Sequence, residues 1–410
     1  MDKPVEIIIT TLSHGGEGIG RYNGRAIFVP FTLPGETVRA QIGEERKNFA
    51  RARLVEVVKA SAERIPPRCR HFGQCGGCHY QHLAYPNQLK LKTDILREQL
   101  VRIGKIAEPV VHPMVASPDE WFYRNHVQFH IDQSGVIGYV AASDPGELVP
   151  IQECFLPETS LNSLWPTLEF EPDSQIERVG LRAGMNDDIL LVLESDEAAP
   201  PEMEIEAGIS VVHLADHDSV VLAGEGYIFA NILGRPFKVS AGSFFQVNTR
   251  MAEKMVIYLL ESLAVTPTTT LLDVYCGVGL FSAFFAPKAG KVIGIESAPS
   301  SCDDYTTNLD EFDNVELYEG LAEEILPALD VGVNVAIVDP PRAGLDIKAL
   351  EAILKIKPQK LAYVSCDPAT LARDAARLAE GGYRLEQVTP FDLFPQTYHI
   401  ESISLFVSQA

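Results

Sequence analysis

Apolar and polar positions follow three different patterns along the chain. In residues 1–58, short alternating apolar runs are separated by glycine and proline turns, which is typical of a small β-barrel. We expect barrel strands at 5–9, 25–30, 38–42 and 50–58. The glycine-rich turn at 15–20 is followed by neither a helix nor a Gly-Lys-Ser/Thr ending, so it is not a phosphate loop.

Residues 59–235 predict a β-rich middle domain. Apolar residues at 83–103 recur with helical spacing and Gly104 follows them, so we expect a helix there. Two hairpins are expected, one within 121–139 and one joining 177–182 to 189–193. The rest of 171–206 is acidic and rich in proline, which indicates exposed loops.

From residue 237 onward the pattern changes to an alternation of strands and helices. Strands are expected at 239–245, 270–274, 292–296, 315–318, 335–338 and 361–364, and helices at 249–263, 280–286, 298–308, 347–356 and 369–381. This order is typical of a parallel sheet with helices on both faces. The sequence therefore predicts a multidomain α/β protein with domains at 1–58, 59–235 and 236–410.

Composition adds a compartment and a charge asymmetry. No apolar run approaches the ~20 residues of a membrane helix, and the N-terminus lacks the features of a signal peptide, so we expect a cytoplasmic protein. Residues 1–110 hold 17 Lys and Arg against 11 Asp and Glu, whereas the remainder holds 17 against 45. If the substrate is a polyanion, the N-terminal part should contact it. Its basic residues cluster in the second half of the barrel, at Arg39, Arg46, Lys47, Arg51 and Arg53.

Three cysteines, Cys69, Cys75 and Cys78, lie within ten residues among glycines, and this spacing indicates a metal site. Iron–sulfur clusters usually take four cysteines, and Cys154 is the only other one before residue 276. Zinc would accept four thiolates, or three with one imidazole. The imidazoles within reach in the sequence are His71, His79 and His82. The spacing favours iron–sulfur but leaves zinc and no metal open.

A cofactor signature follows the strand at 270–274. Gly277 and Gly279 form a Gly-x-Gly turn that enters a helix, and the next strand ends on Glu296, which can accept from ribose hydroxyls. The third glycine of the dinucleotide motif is absent, which favours S-adenosylmethionine over NAD. A further strand ends on Asp339, followed by Pro340-Pro341, and places a carboxylate over the same cleft.

Cys366 lies on the turn between the strand at 361–364 and the helix at 369–381. Open α/β sheets bind their ligands at such turns. A single cysteine there is more often a small buried apolar residue, so the position alone does not make it a nucleophile. We interpret Cys276 and Cys302 as packing residues.

The ordered motifs make the chain resemble the RNA uracil-5 methyltransferases, in the branch with a TRAM domain and a [4Fe–4S] cluster that includes 23S rRNA 5-methyluridine methyltransferases. The motifs are Leu33-Pro-Gly-Glu36, the cysteine set, Tyr123-Arg-Asn125, Phe244-Phe-Gln-Val-Asn248, Asp273-x-Tyr-Cys-Gly-x-Gly279, Asp339-Pro-Pro-Arg-Ala-Gly344, Tyr363-Val-Ser-Cys-Asp-Pro368 and His399-Ile-Glu401.

The resemblance implies an OB-like TRAM barrel at 1–58, a central domain with an iron–sulfur cluster at 59–235, and a Rossmann-like S-adenosylmethionine-dependent methyltransferase domain at 236–410. It implies a monomeric enzyme that methylates C5 of a uridine. The expected substrate is ribosomal RNA, and the alternative substrate is transfer RNA. A rival is an RNA-binding iron–sulfur module without turnover. The implied cluster ligands are Cys69, Cys75, Cys78 and Cys154. The implied nucleophile is Cys366, the implied base is Glu401, and the implied cofactor contacts are Gln246, Tyr275, Gly277, Gly279, Glu296 and Asp339.

The chain also departs from the family pattern. Asp367 stands where the family usually has Asn, and we expect a carboxylate there to raise the pKa of the neighbouring thiol. Leu280, Gly320 and His126 replace residues that are usually polar or basic. These departures affect affinity and substrate choice more than the type of reaction.

Overall fold

The structure is a computed structural model that describes residues 3–144, 146–196, 199–201, 208–215 and 218–409. Five strands form a closed barrel in the order β1-β2-β3-β5-β4. They are β1 (Val5–Leu12), β2 (Gly18–Tyr22), β3 (Arg25–Val29), β4 (Thr37–Glu45) and β5 (Phe49–Lys59). The predicted barrel is confirmed.

Glu36 attaches the barrel to the segment that follows it. Its side chain is fully buried and accepts hydrogen bonds from the Leu33 amide at 2.9 Å and from Arg64 at 2.5 and 2.8 Å. Burial acts to raise the pKa of Glu36, but the Arg64 guanidinium and the backbone amides outweigh it and lower the pKa. The Leu-Pro-Gly-Glu motif therefore has a structural explanation.

The middle of the chain forms a seven-stranded sheet in the order β12-β11-β10-β9-β6-β7-β8, beside a two-stranded ribbon of β13 and β14. Its elements are α1 (Tyr85–Arg102), β6 (His126–Ile131), β7 (Ile137–Val140), β8 (Leu148–Pro150), α2 (Thr159–Leu164), β9 (Arg178–Ala183), β10 (Ile189–Ser195), β11 (Ser210–Ala215), β12 (Asp218–Ala223), β13 (Tyr227–Ile232) and β14 (Arg235–Ser240). Both predicted hairpins are confirmed. The strand expected at 239–245 is wrong, because β14 ends at Ser240 and an irregular loop follows. Part of the acidic segment at 171–206, residues 197, 198 and 202–206, lies outside the described residues.

The C-terminal part contains the second large sheet, ordered β17-β16-β15-β18-β19-β21-β20. Its elements are α3 (Thr249–Ser262), β15 (Thr270–Val274), α4 (Leu280–Phe285), β16 (Lys291–Glu296), α5 (Pro299–Asn308), β17 (Val315–Glu319), α6 (Ala322–Ile325), β18 (Val335–Val338), α7 (Ile347–Ile356), β19 (Lys360–Ser365), α8 (Pro368–Glu380), β20 (Tyr383–Phe391) and β21 (Glu401–Ser408). The predicted alternation of strands and helices is confirmed. The predicted strands that form β15 to β19 are parallel, as expected, and β21, which follows them, pairs antiparallel with both β19 and β20.

Two apolar cores cover the two faces of this sheet. Neighbouring residues of β15 divide between them, since Leu271 packs with α3, α4 and α5, whereas Leu272 packs with α1, α7 and α8. Helix α1 belongs to the predicted middle domain by sequence, yet it packs against α8. The three domain boundaries remain a prediction. Among the described residues, no helix is long and apolar enough to cross a membrane.

A buried ion pair fixes α1 to the segment between β20 and β21. Lys92 Nζ lies 2.6 Å from Asp392 Oδ1, and both side chains are fully buried. The same ammonium donates to the Phe394 carbonyl at 3.0 Å. Because this segment leads into β21, the pair also holds the start of the strand that carries Glu401.

We predict that Lys92→Met lowers the free energy of unfolding by ~3–5 kcal/mol, because it leaves the Asp392 carboxylate buried without a counter-ion. Guanidinium chloride denaturation, followed by circular dichroism, measures the loss. The matched control is Asp94→Ala, which breaks the exposed Arg97–Asp94 pair on the same helix and should cost at most ~0.5 kcal/mol. Equal losses of unfolding free energy in the two variants would contradict the stabilising role of the buried Lys92–Asp392 pair.

Candidate active site

The carboxyl ends of four parallel strands, β16, β15, β18 and β19, meet at one end of the C-terminal sheet. Strand β21 enters antiparallel, so its first residue lies at that same end. Ser365 of β19 is directly opposite Ser402 of β21. The register therefore places Cys366, one residue later, beside Glu401, one residue earlier.

The Cys366 thiol is half-buried in an acidic environment. Its pKa is raised to about 12, mainly by burial and then by Glu401 and Asp339, and Arg342 acts against the shift. In the protein alone the thiol is therefore protonated at neutral pH. A reaction at this sulfur requires the proton to leave when a substrate arrives.

Glu401 and Asp339 form a pair of neighbouring carboxyl groups, of which Glu401 is buried and Asp339 half-buried. Burial, followed by the charge of Asp339, raises the pKa of Glu401 well above its ordinary value. Burial, followed by the charges of Asp273 and Glu296, raises the pKa of Asp339 to about 7. Two neighbouring carboxyls of this kind retain a proton near neutral pH, and each is a stronger base than an exposed carboxylate.

The sequence predicts that Asp367 raises the pKa of the neighbouring Cys366 thiol, but its carboxylate has a different role in the structure. Its Oδ1 accepts from the amides of Ala369 and Thr370, both at 2.9 Å, and so caps the N-terminus of α8. Its Oδ2 lies 3.4 Å from His14 Nε2 on the barrel. Burial acts to raise the pKa of Asp367, but His14 and the backbone amides lower it to about 2. This carboxylate is committed to the helix cap, and the carboxylates that raise the pKa of the thiol are Glu401 and Asp339.

The turn after β15 forms the floor of the predicted cofactor cleft. Tyr275, Gly277 and Gly279 all have positive φ, at 63°, 54° and 89°. A Cβ on Gly277 would meet no heavy atom within 4 Å, so this glycine leaves space above the turn. A Cβ on Gly279 would lie 2.3 Å from Leu309 Cδ1, so the second glycine serves the packing of α5 against the turn.

Glu296 binds the same turn through its carboxylate. Its Oε2 accepts from the Gly277 amide at 2.9 Å, and its Oε1 accepts from the amides of Ser297 and Ala298 at 2.7 and 2.8 Å. A carboxylate has about four acceptor sites, so Oε2 keeps one for a ligand hydroxyl. The structure thus explains why an acidic residue ends β16.

Two asparagines hold the loop that carries Gln246. Asn125 Nδ2 donates to the Gln246 carbonyl at 3.0 Å, and the Asn125 amide donates to the Val247 carbonyl at 3.0 Å. Asn248 caps α3 by accepting from the Met251 amide, and its Nδ2 donates to the Leu393 carbonyl at 3.2 Å. The two motifs that contain these asparagines are therefore joined in space, and the Gln246 side chain is held in a buried position.

Sequence reasoning missed two buried carboxyls that organise the cleft. Asp273 Oδ2 accepts from the Ser282 hydroxyl at 2.7 Å and links the strand to α4. Asp304 accepts from the Ser240 amide at 2.7 Å and the Ser243 hydroxyl at 2.6 Å, which fixes the loop after β14. Asp273 is part of the motif Asp273-x-Tyr-Cys-Gly-x-Gly279. No sequence signal distinguishes Asp304 from a surface residue of a helix.

The four cysteines of the predicted metal site line one cavity of about 290 Å³. Burial is the main cause that raises the pKa of each thiol, Cys69, Cys75, Cys78 and Cys154. His71 also lines this cavity, whereas His79 packs on Tyr398 and His82 on Phe72. Within the described part of the chain, no group of three or more His, Cys, Asp or Glu side chains is arranged to hold a metal ion.

Comparisons with known proteins agree with this architecture. A family model described as tRNA (Uracil-5-)-methyltransferase matches residues 231–409, and a TRAM domain model matches residues 3–55. Proteins described as uncharacterized RNA methyltransferases from Thermosynechococcus vestitus and Aquifex aeolicus are 34% and 35% identical to the chain. Each alignment covers 98% of both proteins.

A solved structure has the same fold over nearly the whole chain. It is that of the Pyrococcus abyssi tRNA (uracil-54, C5)-methyltransferase in complex with S-adenosyl-L-homocysteine. The TM-score is 0.77 at 24% identity, over 98% of this chain and 99% of the other. The predicted combination of a TRAM barrel with a methyltransferase fold is confirmed.

The chain belongs to the RNA uracil-5 methyltransferase family and carries the TRAM domain of that family. The family predicted from the motifs is therefore confirmed, and with it the assignment of an RNA methyltransferase.

Proposed function

We propose that the chain transfers the methyl group of S-adenosylmethionine to C5 of a uridine in RNA, with Cys366 as nucleophile and Glu401 as base. One observation carries the proposal: β21 runs antiparallel beside β19 and so places a buried carboxyl next to the Cys366 thiol. The target uridine has to leave its base stack to reach this site.

The residues supply what the chemistry of uracil requires. C5 is a weak nucleophile, and addition of the Cys366 sulfur to C6 converts the ring into an enolate that is nucleophilic at C5. The thiol proton passes to solvent as the S–C6 bond forms. S-adenosylmethionine, when bound, would supply an electrophilic methyl group in line with C5, and its sulfonium sulfur would keep the electron pair of the broken S–CH₃ bond. Once C5 carries the methyl group, Glu401 takes the C5 proton as a carboxylate, the S–C6 bond breaks and Cys366 is released as a thiolate that regains its proton from solvent.

The raised pKa values fit these roles. A base that removes a proton from carbon works best when its pKa is close to the working pH, and the upward shift moves the pKa of Glu401 in that direction from the usual value of a carboxyl. The neighbouring Asp339 also has a raised pKa, so the pair resists carrying two charges. The thiol is protected while the site is empty, since its own pKa is also high.

Six residues would hold S-adenosylmethionine in the cleft beside Cys366. The open space above Gly277 admits a ligand against the backbone, and the remaining acceptor site on Glu296 Oε2 suits a ribose hydroxyl. The complete set is Gln246, Tyr275, Gly277, Gly279, Glu296 and Asp339.

We assign the four-thiol cavity to a [4Fe–4S] cluster held by Cys69, Cys75, Cys78 and Cys154. The donor set supports this choice, because four thiols border one cavity and iron–sulfur clusters take four thiolates. The cluster would replace four protonated thiols, of which Cys78 is buried and the others half-buried, with thiolates that are neutralised by iron. A structural role is proposed, since the cavity joins the segment that carries Cys69, Cys75 and Cys78 to β6, β7 and the loop that carries Cys154.

Ribosomal RNA is the proposed substrate, in the cytoplasm and with a monomeric enzyme, because the cysteine set resembles that of the ribosomal branch. Transfer RNA is the second candidate, since the family description and the structural neighbour name it. The barrel would contact the phosphates. Three of the five clustered basic residues are paired with glutamates, Arg39 with Glu56, Arg46 with Glu44 and Arg51 with Glu17. The first two pairs are exposed and open at little cost, whereas Glu17 is half-buried.

We predict release of tritium from 5-tritiated uridine when the protein acts on ribosomal RNA from cells that lack it, and none from transfer RNA of the same cells. Cys366→Ala should reduce release to the level without enzyme, because no enolate forms. Cys302→Ser, which replaces another thiol but keeps a donor to the Glu296 carbonyl, is the control and should release tritium normally. Equal release by the Cys366→Ala and unmodified proteins would reject the mechanism, and release only from transfer RNA would reject the substrate.

We predict about four irons per chain in protein purified without oxygen. Cys78→Ser should lower the iron content and bleach the visible absorption, because a buried ligand is lost. Cys302→Ser should leave both unchanged. Stoichiometric zinc in place of iron would contradict the cluster assignment.

A further inference from the structure

A second cavity, of about 470 Å³, lies beside the thiol cavity, with which it shares His126, and contains none of the four cysteines and no residue of the Cys366 site. We call it the Arg182 cavity. Strands β9 and β10 form one side, and the loop at 241–244 forms the other. That loop runs directly into Gln246, so a ligand in the cavity lies next to the segment that borders the proposed cofactor cleft. A volume of this size accommodates a nucleobase.

Arg182 contributes a buried cation with an unused donor. Its side chain is 7% exposed, and Nη1 donates to the Ser240 carbonyl at 3.0 Å. Its Nε has no hydrogen-bond partner among the described residues. Burial lowers the pKa of Arg182 to about 10 and Asp304 acts against the shift, so the guanidinium stays charged at neutral pH. Buried donors of this kind normally have an acceptor, and a ligand atom would supply it.

Phe244 contributes an aromatic surface. It is 66% exposed, while its neighbour Phe245 is buried in the core. Exposed aromatic side chains on a nucleic-acid-binding protein stack on unpaired bases, and a purine offers a larger surface for stacking than a pyrimidine. The position of Phe244 on the loop at 241–244 makes it the stacking wall of the Arg182 cavity.

The remaining polar groups decide which base fits. Three carboxylates, Glu177, Glu194 and Asp196, and two arginines, Arg178 and Arg182, line the cavity, so an RNA phosphate would meet a net negative charge. Glu194 is already bonded to Arg178 at 2.8 Å and to Gln128 at 2.5 Å. His126 is neutral, because burial first, and then the charges of Arg182 and Arg124, lower its pKa to about 3. The cavity therefore offers a cationic donor on its floor and carboxylate acceptors on its rim.

Guanine matches this arrangement better than the other bases. Its O6 and N7 accept from an arginine, and its N1–H and N2–H₂ donate to a carboxylate. Uracil offers a single donor, and adenine lacks the O6 acceptor. We propose that the Arg182 cavity binds one unpaired guanine of the RNA substrate, stacked on Phe244, with its O6 and N7 edge toward Arg182 and its amino edge toward Glu177 or Asp196. The inference rests on the proposed function for the identity of the ligand as RNA.

The test measures binding of the full-length protein, without cofactor, to short single-stranded RNA. The probes are a nine-nucleotide oligouridylate and the same oligomer with one guanosine placed at each position in turn, read by fluorescence anisotropy. We expect guanosine at one position to tighten binding by about tenfold. Adenosine or cytidine at that position should give less than half of this gain in binding free energy.

Two variants locate the effect. Arg182→Lys keeps the charge but loses the planar fork, and Phe244→Leu keeps an apolar side chain but loses stacking. Both should abolish the guanosine preference and weaken binding of the all-uridine oligomer by no more than about twofold. Phe229→Leu changes another exposed phenylalanine, on β13, and should keep the preference. If Arg182→Lys does not fold, Phe244→Leu decides the question, because its side chain is mostly outside the core.

The proposal is overturned if no position prefers guanosine, if adenosine is preferred, or if Phe244→Leu retains the preference. These outcomes are separate from the fate of the proposed activity. Tritium release without a guanosine preference would reject only the guanine site. A guanosine preference without tritium release would reject only the methylation proposal.

Discussion

The antiparallel pairing of β21 with β19 is the constraint on which the candidate active site depends. If β21 ran parallel to its neighbours, Glu401 would start at the opposite end of the sheet, roughly 23 Å away at ~3.3 Å per residue over the strand. Reversal of this one strand brings the first residue of β21 to the last residues of β19. The segment from Asp392 to Ile400, anchored by the buried Lys92–Asp392 pair, makes this reversal possible.

The second determinant is electrostatic. Carboxyl groups outnumber cations around the Cys366 thiol, and burial magnifies their mutual effect. The same environment that makes Glu401 a strong base keeps the thiol protonated. The Cys366 sulfur is therefore expected to react only after a substrate has bound, displaced water and offered a carbon to which the thiolate can add. In this way the site restricts the nucleophile to its own reaction.

Much of the fold follows from the sequence, because barrel, hairpins and the alternating domain each have a distinct apolar period. The antiparallel β20 and β21 were not predicted, since strand direction depends on connections that a local pattern does not encode. The loop at 241–244 was assigned to a strand for a different reason: apolar residues stand on both sides of it, but Asp304 of a distant helix fixes it in an irregular form.

The candidate site shows a similar division. The strand-end residues Cys366, Glu296 and Asp339 could be placed from sequence, because parallel strands bring their carboxyl ends together. The roles of Asp367 as a helix cap and of Gly279 in packing depend on partners far away in the chain, His14 and Leu309. Sequence position alone could therefore not show that Asp367 caps a helix, or that Gly279 serves packing in addition to its proposed place in the cofactor cleft.

The bond between one sulfur and one pyrimidine carbon is the central claim, and it can be trapped. RNA that contains 5-fluorouridine at the target has no C5 proton for Glu401 to remove, so elimination stops after methyl transfer. The account predicts a stable protein–RNA adduct whose digestion yields a modified peptide bearing Cys366. If mass spectrometry finds no adduct, or finds it on a different residue, the account is contradicted.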